Sequence, residues 1–164
     1  MTARLAGLAA ARAAGHSQGE RPHWEATMAD MIRKVTYYYT TAPDKAGEGA
    51  RLLGVLRNAG INLLAVHGFP SARKTQLDFV AADAAALAAA AKNAKLKLSK
   101  PKTAFLIDGD DRVGALASTL AKLGAAKINV TAVTGVTAGM GRYGAILWVK
   151  PRDVPKAAAA LGVM

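Results

Sequence analysis

"DKAGEGARLLGVLRNAGIN" runs from Asp44 to Asn62, and "DRVGALASTLAKLGAAKIN" runs from Asp111 to Asn129. Both open with Asp-x-x-Gly and both close with Ile-Asn after the same interval. Widened to residues 44–68 and 111–135, a shift of 67 without gaps, the two copies agree at eleven of twenty-five positions. Chance in a chain rich in Ala and Leu would give roughly two or three. Two copies are too few for a solenoid, so the chain holds two related small domains.

Each copy has the same local grammar. "VTYYYTT" and "KTAFLID" are β-branched and aromatic runs that favour strands. The Asp that follows suits a helix N-cap. Ala46, Ala50, Leu53 and Leu56 then recur at helical spacing, as do Val113, Ala117, Leu120 and Leu123. Gly60 suits the left-handed residue that ends a helix, where the second copy has Lys127. "INLLAVHG" with "TQLDFVAA", and "INVTAVTG" with "YGAILWVK", read as hairpins. Ala-rich helices follow, and "LKL" supplies a fourth strand in the first copy. Strands are expected over residues 32–41, 61–68, 75–82 and 102–108, and helices near 46–59 and 113–125. The order is an α+β, ferredoxin-like βαββαβ layout, twice. The second copy ends at Met164 and lacks most of its final strand, for which the first repeat's final strand or a second chain is expected to compensate.

The domain reading follows: a flexible leader or extension over 1–30, repeat 1 over 31–100 and repeat 2 over 101–164. The first 27 residues show no patterned apolar face, and Arg12 interrupts their apolar stretch too early for a secretory signal. No apolar run has the length of a membrane span. Cys is absent, which excludes a disulfide framework, a thiol nucleophile and a thiolate metal site. A cytoplasmic location fits. The net charge of +11 is compatible with an anionic partner, but the cations are mostly dispersed, except for Lys92, Lys95, Lys97, Lys100 and Lys102 along the connector between the repeats.

These residues resemble the ACT domain, a small regulatory module of amino-acid metabolism. The likeness rests on the strand, the Asp-x-x-Gly loop, the Leu-bearing helix and the Ile-Asn that opens the second strand. In tandem, with "GFP" and "LDFV", it resembles stand-alone bacterial ACT proteins. It implies a non-catalytic regulator that binds a free amino acid or similar metabolite at domain interfaces, assembles as a homo-oligomer such as a dimer, and acts on a partner protein. It places the ligand at Asp44, Lys45, Ala46, Gly47 and Asn62, and at Asp111, Arg112, Val113, Gly114 and Asn129. Helix N-terminal N–H groups suit a carboxylate there, and Gly admits close approach. The competing reading makes Asp44 and Asp111 plain caps, each worth roughly 1 kcal/mol, in a purely structural or partner-binding protein.

Other chemistries find less support. "RYGAILWV" (Arg142–Val149) approaches an RNA-binding strand motif, but stacking needs aromatics at alternate positions. Tyr143 and Trp148, five residues apart, point to opposite faces of a strand. "GVTAGMGR" (Gly135–Arg142) precedes a strand rather than a helix, so it reads as a hairpin turn and not a phosphate loop. Asp108, Asp110 and Asp111 form a solvated turn more readily than a metal site. No nucleophile stands beside a base, and no cofactor or metal is expected. His67 is either structural or placed at the interface between the repeats.

Overall fold

The computed structural model describes residues 30–163, so the leader assignment, apart from Asp30, lies outside the described residues. The strands are β1 (Met31–Pro43), β2 (Leu63–Ser71), β3 (Lys74–Ala81), β4 (Lys102–Asp110), β5 (Val130–Gly139) and β6 (Arg142–Val149). The helices are α1 (Glu48–Asn58), α2 (Ala84–Asn93), α3 (Ala117–Ala125) and α4 (Val154–Leu161), with one 3-10 turn at Pro151–Asp153. The fold is α+β, built from two ferredoxin-like units.

All six strands form one antiparallel sheet in the order β2-β3-β1-β4-β6-β5. The first half of β1 pairs with β4 along most of its length, Met31 opposite Asp108 and Tyr37 opposite Lys102. The second half of β1 pairs with β3, Tyr38 opposite Phe79, and β4 pairs on its other side with β6, Phe105 opposite Leu147. The register places Thr36 opposite Thr103, which are equivalent positions under the shift of 67. The repeats are therefore related by a two-fold axis through that pair.

This pairing corrects the expected fourth strand. "LKL" is not a regular strand but an extended approach to β4 that runs beside β1. The Ser99 N–H donates to the Tyr39 carbonyl at 2.8 Å, and the Thr40 hydroxyl to the Lys97 carbonyl at 2.8 Å. Pro101 has no N–H to continue a ladder, so the run is broken before β4 begins. In repeat 2, the first half of β1 lies along β4 where that repeat's last strand would sit. Neither a second chain nor the end of repeat 1 is needed to fill the gap.

The helices cover one face of the sheet. Leu52 and Leu56 of α1 and Leu87 of α2 pack with Leu77 and Phe79, and Leu96 and Leu98 close that cluster. In repeat 2, Leu123, Ala157 and Leu161 pack with Phe105, Tyr143 and Leu147. The inner stripe differs from expectation: Leu53 is 37% exposed and Val113 fully exposed, while Leu52 and its counterpart Thr119 are buried. Helix α1 begins two residues later than expected and α3 four.

The opposite face folds on itself. Val80, Ala104, Ile146 and Trp148 form a third cluster with Val35, Tyr37, Ala65 and Leu106. The sheet curls enough to bring its edge strands together there. The hydroxyl of Thr134 on β5 lies 3.3 Å from Nδ1 of His67 on β2. These residues too are 67 apart, so a second pair of equivalents meets across the axis.

Candidate functional site

The Asp-x-x-Gly loops depart from the capping expectation. Helix α1 opens at Gly47, left-handed with φ 90°, and carries no side-chain cap. Helix α3 opens at Leu116, also without a side-chain cap, two residues after left-handed Gly114. Each Asp turns instead to the neighbouring hairpin. The Asp44 carboxylate accepts from the Thr75 hydroxyl at 3.3 Å, and the Asp111 carboxylate from the Thr137 hydroxyl at 3.1 Å. Each loop leaves its strand beside the tip of a hairpin, so a Thr hydroxyl supplies the hydrogen bond in place of a helix N–H.

The other residues expected at these sites vary in setting. Lys45, Ala46, Asn62, Val113 and Asn129 are exposed. Arg112 is engaged: its guanidinium makes two 3.0 Å bonds to the Asp30 carboxylate and a third to the Asp110 carbonyl. The Arg112 hydrogen bonds hold the Asp30 carboxyl below its usual range, against the opposing effect of burial. A Cβ on Gly109 would strike that carboxylate, so glycine makes room for the pair. The pair borders a cavity of about 370 Å³ with Thr119 and Lys122. Of the ten expected site residues, Arg112 alone lines either described cavity. The acidic run is likewise paired, with Arg142 bonding Asp110 at 2.7 Å and Asp108 at 3.2 Å.

A larger cavity, about 650 Å³, lies on the self-folded face and is walled by both repeats. Strand alternation sends Tyr37, His67, Phe69 and Trp148 to this face. Their rings form a row, Tyr37 edge-on to Trp148 at 6.2 Å, Trp148 to His67 at 5.1 Å and His67 to Phe69 at 5.2 Å. Gln76 and Asp78 stand beside them, and the Gln76 amide donates to the Asp78 carboxylate at 2.8 Å. Lys100, Lys102 and Lys150 complete the wall. The Lys102 ammonium is held 5.0 Å above the Tyr39 ring, a cation–π placement.

Two groups here are electrostatically unusual. Asp78 is only 6% exposed. Burial raises its pKa above the carboxylate norm, more than the Gln76 bond and the charges of His67 and Lys102 lower it. The buried Trp148 indole N–H has no hydrogen-bond partner among the described residues. Native interiors leave few such donors unmatched.

The sequence carried only a partial signal for this cavity. His67 was singled out, and it does lie between the repeats. The opposite facing of Tyr143 and Trp148 also holds, with Tyr143 in the helix-side core and Trp148 here. Lys100 and Lys102 belong to the basic string between the repeats, but nothing local marks Tyr37 or Asp78. They meet only through strand pairing.

No family model and no curated protein matches the chain. Solved structures do. Protein BT0572 from Bacteroides thetaiotaomicron superposes with a TM-score of 0.65 at 20% identity, over 81% of this chain and 88% of that one. The ligand-free regulatory subunit of aspartate kinase from Thermus thermophilus gives 0.56 at 12% identity, over 84% and 97%. The aspartokinase alpha and beta subunits give 0.54 at 13%, over 83% and 96%. At these identities the likeness concerns the fold, which is ACT-like.

Proposed function

We propose that this chain is a non-catalytic regulatory protein that binds a free amino acid or similar small metabolite where its two repeats meet. The cavity walled by both repeats carries this reading. Its volume falls in the range of small-molecule sites, about 300–1,000 Å³, and its apolar walls with a few polar groups suit a ligand. A ligand held between two units favours the arrangement that closes on it, and such differential binding is how a protein without chemistry transmits a signal. The fold shared with aspartate kinase regulatory subunits is consistent with this role, as is assembly into a homo-oligomer that contacts a partner protein.

The Asp-x-x-Gly loops remain a second position for such a ligand. The observation that favours them is the lack of a side-chain cap on α1 and α3, since uncapped first-turn N–H groups attract a carboxylate. A thermal-shift screen against the twenty amino acids tests both positions. At a hundredfold excess over the dissociation constant, binding adds about 2.7 kcal/mol to stability. If the loops hold the ligand, Asn62→Ala or Asn129→Ala removes that gain while changing the free protein by about 0.5 kcal/mol or less, because both side chains are exposed. A cavity ligand is indifferent to these changes. If no amino acid shifts the melting temperature or the oligomeric state, a purely structural role replaces this one.

A further inference from the structure

The two-fold relation between the repeats exposes how specialised the larger cavity is. Equivalent strand pairs align Phe79 with Leu147, so Trp148 stands where repeat 1 has Val80. Asp78 and Gln76 stand where repeat 2 has Ile146 and Gly144. By the shift of 67, Tyr37 corresponds to Ala104 and Lys102 to Val35. One side of the axis therefore gathers the rings, the carboxyl, the amide and the lysine, while the other has small apolar residues. Tyr37 and Trp148 share in the packing of the sheet on itself, but Asp78, Gln76 and Lys102 stand outside that cluster and add polar groups beside it.

We propose that this cavity binds an anionic ligand with a planar aromatic ring. The inference rests on the cavity being the ligand site and names the chemistry it selects. The row of four rings, inclined to one another by 44° to 84°, offers edges and faces against which a further planar ring can pack. The Asp78–Gln76 pair, 2.8 Å apart, faces the ring edge with both donor and acceptor capacity. Three lysines against one carboxyl leave the walls net positive, so a cationic amine is disfavoured and an anion is attracted. The ring and the anion are shared by two sources, an aromatic carboxylate and a nucleoside phosphate.

The test uses the full chain carrying Trp24→Phe, which leaves Trp148 as the single indole. Phenylacetate, AMP, inorganic phosphate and leucine are titrated while Trp148 emission and the melting temperature are followed. Saturable change with phenylacetate or AMP, and little with phosphate or leucine, is expected; the tighter of the two identifies the source. Lys102→Gln weakens that binding about tenfold, and Phe69→Leu, which keeps an apolar side chain on a half-exposed site, weakens it several-fold without lowering the melting temperature of the free protein. Equal binding of leucine at Trp148 overturns the aromatic-anion assignment but leaves the cavity as the ligand site. Silence from these four and from all twenty amino acids removes both.

Discussion

Two residues show how local conformation and charge are set against the global fold. Lys127 ends α3 in the left-handed region at φ 56°, with the Ile128 N–H donating to the Leu123 carbonyl at 2.9 Å. Gly60 does the same at the end of α1, with Ile61 donating to Leu56 at 3.0 Å. Both are Schellman endings, but only glycine adopts them without strain. Lys127→Gly is therefore expected to stabilise the protein by about 0.5–1 kcal/mol in urea denaturation, despite its added freedom in the unfolded chain. Asp78 presents the opposite case, a polar group held in an unfavourable place. Its pKa is raised on folding, so the folded state prefers the protonated form. That preference favours folding fully below the ordinary value of 3.8 and is lost as pH rises through the folded value. Asp78→Asn keeps an acceptor for Gln76 and carries no charge. Its melting temperature should exceed that of the parent protein at pH 7, and the gap should close toward pH 3. A gap that does not depend on pH would show that desolvation of this carboxylate is not the cause.

At the scale of elements, α1 and α3 bury a leucine at one equivalent position. Leu56 is 1% exposed and its equivalent Leu123 is 0% exposed. Truncating either to Ala removes buried methyl groups and leaves a cavity, at about 2–5 kcal/mol each. Leu53, also on α1 but 37% exposed, should cost about 1 kcal/mol or less. Chemical denaturation of the three variants checks the order. The helical period in the sequence had placed Leu53 on the inner stripe because period alone does not fix phase. Packing against Leu77 and Phe79 turns Leu52 and Leu56 inward and leaves Leu53 on the flank. The fourth strand failed as an expectation for a related reason. "LKL" has the right alternation, but Pro101 and the arrival of β4 leave it as a connector beside β1.

At the scale of the molecule, the repeats share a sheet rather than merely adjoining. The junction runs from Met31–Asp108 to Tyr37–Lys102, and the third hydrophobic cluster takes residues from both sides. Separating the repeats would expose that cluster and the inner edges of β1 and β4. We therefore expect a single cooperative transition, with Trp148 fluorescence of the Trp24→Phe protein and far-ultraviolet circular dichroism coinciding in urea. Ala104→Asp, which buries a carboxylate at a site with 0% exposure on the shared face, should destabilise both repeats together. Two separated transitions in the parent protein would mean that the repeats fold independently.

The duplication, the order of strands and helices apart from the fourth strand, and the left-handed end of α1 at Gly60 were legible in the sequence, because each depends on residues a few positions apart. Periodicity, β-branching and Gly punctuation act at that range. The Asp-x-x-Gly motifs were legible as motifs, but the partners of Asp44 and Asp111 were not, since Thr75 and Thr137 come from hairpins distant in sequence. The larger cavity was the least visible. Its walls join Tyr37, His67, Asp78, Lys102 and Trp148 from five different strands, and no spacing links them. They converge because β1 pairs with β4 about the Thr36–Thr103 axis and the sheet then curls until His67 meets Thr134. Local sequence encodes which residues alternate on a strand; only the pairing of strands and the curvature of the sheet decide which of them face one another.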